Sequence, residues 1–186
     1  VAGLDLIITR TGYTGERVAF ELFVHPDAAA NLFSTCIEAG ATPIGLAARD
    51  SLRTEAGLPL YGHELAGDHG LNPADAGFAS FVKLWKPFFV GKQAFLDHEA
   101  QRGAMVTRFR LDAKGVRPPQ PGDPLVDARG RVVGIVTSCS IDSEGYQLGQ
   151  AYLKDEYQAE GTPIAVYTGA ARLSLSKPFG ELALGD

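Results

Sequence analysis

The chain has little sulfur: its 186 residues include two cysteines and one methionine. Cys36 and Cys139 fall in no metal-binding or redox spacing. That excludes a disulfide framework or a cysteine-built zinc centre and leaves two buried, reduced thiols as the expectation. Long apolar runs are also missing despite a hydrophobic content of 45%, so no membrane span is expected. There is no basic excess. A net charge of −5 argues against nucleic acid as a partner, because phosphate binding needs a concentrated positive surface. Lys83, Lys86 and Lys92 form only a local basic patch, read as solvated lysines or as a steering surface for an acidic group. Internal repeats and low-complexity segments are lacking too. What remains fits a compact cytoplasmic protein with one or two cores.

The densest charge lies in GLAARDSLRTEAGLPLYGHEL, residues 45–65. Read as a helix from Leu46, it sets Ala48, Leu52 and Ala56 on an apolar stripe and Arg49 and Arg53 four residues apart on the adjoining one. Two cations at that spacing repel. Either Asp50 and Glu55 neutralise them on a solvated face, or they grip an anionic or carbonyl-bearing ligand through paired N–H donors. Gly57 and Pro59 stop the helix.

A second charge sits in an apolar setting. The run Val18–Val24 alternates as a strand, with Glu21 between Ala19 and Phe23 on one face. An ionised carboxylate there needs hydrogen bonds or a cation. Glu21 is therefore at an edge, facing a polar ligand, or paired with Arg49 or Arg53. Before it, RTGYTGE (residues 10–16) carries Gly12 and Gly15 and reads as the turn of a hairpin from the strand Leu4–Thr9. Its Thr and Tyr hydroxyls suit either a turn or a ligand.

Helices are expected near Pro26–Ala39 and at Arg49, and a connecting helix within 91–103. Beyond it, strands recur at Val106–Leu111, Pro124–Val126, Val132–Ser138, Leu148–Leu153, Ile164–Thr168 and Leu173–Leu175, separated by turn signals. The fold class is α+β: a mixed part over 1–90, the connecting helix over 91–103, and an all-β barrel or sandwich over 104–186. His63 and His69 flank Glu64 and Asp68, but Gly67 and Gly70 imply a loop and no helical zinc spacing, so no metal is expected. His63 is read as orienting the loop after Tyr61. Tyr61, Trp85 and Tyr152 suit either ring stacking or the core.

RTGYTGE, a Phe-Glu-Leu strand, the 45–65 motif, NPADAGF, FVGK, GDPLVDARGRVVGIVTS and LGQAYL follow in the order seen in the glycine cleavage system T-protein superfamily. The chain resembles the later part of such a protein, so the barrel is the expected form of residues 104–186 and the mixed part is expected to be the second portion of a folate-binding domain. The resemblance implies tetrahydrofolate as the one-carbon acceptor, folate contacts at Glu21 and Arg49, and Tyr13, Arg53 and Tyr61 supporting the same channel. It implies aminomethyl transfer to folate from the lipoyl arm of a carrier protein, with release of ammonia. The superfamily's catalytic aspartate is expected upstream of this chain, so the 186 residues alone are expected to be inactive. The same superfamily holds demethylases, and a non-catalytic folate-binding module is the alternative. The chain departs from the usual pattern at Arg17–Ala19, where Asp-Gly is common, and at TSCSIDSEG.

Overall fold

A computed structural model describes residues 3–169. The chain divides into two units, Val1–Leu58 and Pro59–Asp186. This division falls ahead of the boundary near residue 90 expected from strand patterning. The loop-rich stretch that follows Pro59 groups with the β-rich part.

The first unit opens with strands β1 (Leu6–Thr9) and β2 (Glu21–Val24), paired antiparallel from Leu6↔Val24 to Thr9↔Glu21. The expected hairpin is present, but its second strand is shorter than Val18–Val24. Residues 18–20 lie opposite the turn beyond Thr9, where β1 offers no ladder partner. Helix α1 (Pro26–Glu38) starts with proline at its first turn, where the missing N–H has no intrahelical role, and His25 Nδ1 accepts from Asp27 N at 3.4 Å. Helix α2 (Leu46–Glu55) starts from extended Gly45 and ends at Ala56. Gly57 takes φ +74°, and the chain turns back so that Leu58 N–H donates to Arg53 O at 2.8 Å.

In the second unit, residues 59–90 form turns and isolated bridges, and α3 (Lys92–Glu99) follows as the connecting helix. His98 Nε2 lies 3.0 Å from the fully buried Asp75 Oδ1, tying α3 to the preceding loop. The rest is a five-stranded antiparallel sheet in the order β3-β6-β5-β4-β7. Its strands are β3 (Ala104–Lys114), β4 (Pro124–Val126), β5 (Val132–Ile141), β6 (Tyr146–Lys154) and β7 (Ala165–Val166). Leu125, Val133, Val136, Ala151 and Leu153 form its core, with Phe109, Tyr157, Ile164 and Val166 packed against them. Gly149 leaves room for the ring of its cross-strand partner: a Cβ there would lie 2.6 Å from the Phe109 ring. Among the described residues the sheet has two edges, β3 and β7. The expected strand Leu173–Leu175 lies outside the described residues. β7 is shorter than Ile164–Thr168 because its partner β4 spans three residues. Cys36 and Cys139 form no disulfide among the described residues and are half-buried rather than buried as expected.

Candidate functional site

The first unit brings the chemistry-bearing residues of the hairpin and α2 together. Two glycines make this possible. Gly12 approaches Ala19 so closely that a Cβ would lie 2.3 Å from the Ala19 Cβ, and Gly15, at φ +85°, would place one 2.6 Å from the Ala56 Cβ. The first contact closes the turn on its own second arm, and the second seats it against the end of α2. Only glycine satisfies both the left-handed backbone and the space at residue 15.

From this seat the turn reaches both charges singled out by patterning. Thr11 Oγ1 donates to Glu21 Oε2, and Thr9 Oγ1 lies 2.7 Å from Thr11 Oγ1. On α2 the Arg49 guanidinium carbon lies 5.1 Å from the centre of the Tyr13 ring, a cation–π arrangement. Neither Glu21–Arg49 nor Glu21–Arg53 forms an ion pair among the described residues, so the internal pairing considered for Glu21 is absent. Glu21 is exposed and Arg49 half-exposed. One turn therefore holds an acceptor-rich carboxylate on one strand and a donor-rich guanidinium on a helix, each oriented by a neutral neighbour.

Arg53 is in a different situation. Its side chain is fully buried, with Nε donating to Asp50 Oδ1 at 2.6 Å and Nη1 to Leu58 O at 3.3 Å. The solvated-face reading of the two arginines thus does not describe Arg53. It ties the body of α2 to the chain that leaves it.

In the second unit, Tyr61 is 81% exposed and Trp85 79% exposed, so neither is the core aromatic that composition suggested. Tyr152 is half-buried, and burial is the main cause of its raised pKa, with the Asp75 charge adding to it. His63 Nδ1 lies 3.1 Å from Thr137 O and 3.3 Å from Ser138 Oγ. It fastens the loop after Tyr61 to β5, a contact across 74 residues of sequence that periodicity gives no means of finding. A cavity of about 260 Å3 opens beside it, lined by His63, Asp68, His69 and Thr137 among others. Among the described residues no group of three His, Cys, Asp or Glu side chains is placed to hold a metal ion. No described helix is long and apolar enough to cross a membrane.

The GCVT N-terminal domain family matches residues 1–86. An aminomethyltransferase of Streptomyces avermitilis is 43% identical over 170 residues, 87% of this chain and 45% of that protein. One from Herpetosiphon aurantiacus is 44% identical over 155 residues, covering 83% and 42%. Among solved structures, the glycine cleavage system aminomethyltransferase T of Bartonella henselae matches with a TM-score of 0.74 and 31% identity, over 87% of this chain and 45% of that one. The chain thus spans a little under half the length of the relatives it matches.

Proposed function

Because the chain belongs to the glycine cleavage T-protein superfamily, we propose that its first unit grips tetrahydrofolate for one-carbon transfer by an aminomethyltransferase. One observation carries this reading: the single turn of residues 10–16 orients both Glu21 and Arg49, through Thr11 and Tyr13, and leaves neither in an ion pair with the other.

A pterin presents a ring N–H beside an amino group, and a carboxylate matches those two donors with two acceptor oxygens. The Glu21 carboxylate supplies that edge, and the Arg49 guanidinium donates to a carbonyl or carboxylate of the folate. Tyr13 steadies Arg49 without neutralising it. Arg53 supports this grip by holding α2 together. These residues bind and orient; positioning of this kind accounts for a large part of many enzymatic accelerations.

The reaction itself moves a one-carbon unit from an aminomethylated lipoyl carrier protein to tetrahydrofolate and releases ammonia. Glu21 and Arg49 are assigned to binding in this reading, and no proton-transfer role is assigned to either. We read the second unit's sheet as belonging to a C-terminal barrel and the protein as cytoplasmic. Calorimetric titration of the complete polypeptide with tetrahydrofolate tests the reading. Saturable heat that a folate analogue competes away supports it; no heat and no competition from a demonstrably folded sample would reject it.

A further inference from the structure

Thr9 stands opposite Glu21 in register, and Thr11, in the turn just beyond, reaches both through its hydroxyl. Their hydrogen bonds have a forced direction. A carboxylate only accepts, so the single Thr11 hydroxyl hydrogen is committed to Glu21 Oε2. Thr11 Oγ1 must then accept in its 2.7 Å contact with Thr9, and Thr9 donates. The result is a two-hydroxyl relay in which both hydrogens point toward the carboxylate, each bond polarising the next.

We infer that Thr11, backed by Thr9, is a positioning residue that sets the plane of the Glu21 carboxylate for its ligand. The inference rests on the folate reading above and names the edge chemistry the site selects: two adjacent N–H donors on one ring edge. The terminal torsion of a glutamate is broad, so an exposed carboxylate by itself samples many planes. Thr11 removes that freedom by holding Oε2, while Oε1 has no partner among the described residues. Glu21 then keeps one whole oxygen and one lone pair of the other as acceptors for two donors. The bond counts for little while water surrounds it. Once a ring displaces that water, the pre-set plane spares the ligand an ordering cost.

The experiment uses the complete polypeptide with Thr11→Val, Thr11→Ser, Glu21→Gln and the Thr11→Val/Glu21→Gln double variant, each titrated with tetrahydrofolate and melted without ligand. Valine keeps the shape and removes the hydroxyl. It is expected to weaken binding about tenfold, the scale of one hydrogen bond to a charged group, while serine stays within about twofold of wild type. In the Glu21→Gln background the valine change is expected to add no more than about twofold, because the relay acts through the carboxylate. Wild-type affinity in Thr11→Val, equal losses for valine and serine, or a full tenfold multiplication in the double variant would each overturn the inference while leaving the folate reading standing. A drop in the ligand-free melting point of Thr11→Val large enough to account for its lost affinity would do the same. Absence of binding by the wild type would reject the folate reading and this inference with it.

Discussion

Arg49 and Arg53 occupy one helix a turn apart, yet their surroundings give them opposite roles. Arg53 is fully buried and holds Asp50 and the Leu58 carbonyl. Arg53→Ala leaves both acceptors without their cation and is expected to lower ligand-free stability by about 3 kcal/mol, the lower end for breaking a buried pair because Asp50 keeps some contact with water. Arg49 meets only a ring face among the described residues. Arg49→Lys is expected to change ligand-free stability by less than about 1 kcal/mol, the worth of an exposed cation–π contact. Its effect falls instead on folate affinity, weakened by about 1–3 kcal/mol because lysine cannot reproduce the paired donors. Glu21→Gln is expected to follow Arg49→Lys. Thermal melts and calorimetric titrations of the three variants check this. A large loss of ligand-free stability with unchanged folate affinity in Glu21→Gln or Arg49→Lys would reject the assignment of the site.

At the scale of elements, the turn joining β4 to β5 is organised by one side chain. Asp127 Oδ1 accepts from the backbone N–H of Arg129 at 2.9 Å and of Arg131 at 3.0 Å, and Oδ2 lies 2.7 Å from Arg131 Nη2. Tyr157 adds its hydroxyl at 3.2 Å. Burial pushes the Asp127 pKa up, but the Arg131 bonds, the Arg129 N–H and the Tyr157 hydroxyl outweigh it and hold the group at about 2. A folded-state pKa below the unfolded value means that the unfolded chain binds more protons between the two. The contribution of Asp127 is therefore complete above about pH 4 and is lost as pH falls toward 2. Asp127→Asn is expected to melt less steeply with pH in that window, and melting points between pH 2 and 5 that run parallel in both proteins would refute this. The strands flanking this turn were legible from alternation and turn residues. The start of β2 was not, because it depends on where β1 runs out of partners at Thr9. The exposure of Tyr61 and Trp85 and the His63–β5 contact were equally hidden, since each depends on residues distant in sequence. Glu21, Arg49 and Arg53 were legible as charges out of place, and the resemblance to the T-protein superfamily singled out Glu21 and Arg49 among them. The glycine approaches at Gly12 and Gly15 that orient the turn toward them follow from three-dimensional proximity, which no local pattern carries.

For the molecule as a whole, binding and turnover are expected to separate. On the proposed reading, the carboxylate of Glu21, the guanidinium of Arg49 and the turn of residues 10–16 hold a ligand in place rather than transfer protons to it. Positioned proton transfer is commonly worth about 10²–10⁴-fold in rate, and the chain spans about 45% of the Streptomyces avermitilis relative's length. The 186-residue chain is therefore expected to release ammonia from an aminomethylated lipoyl carrier at least about 10²-fold more slowly than a complete aminomethyltransferase of this superfamily under the same conditions. An ammonia-coupled assay with tetrahydrofolate in excess makes the comparison. Rates within about threefold of the complete enzyme would show that the proton-transferring group lies inside these residues, and the search would turn to the half-buried Tyr13 and to Glu21 itself. A slow chain whose rate is restored by adding the N-terminal half of an aminomethyltransferase of this superfamily would show instead that this chain supplies the grip on folate and the added piece the chemistry.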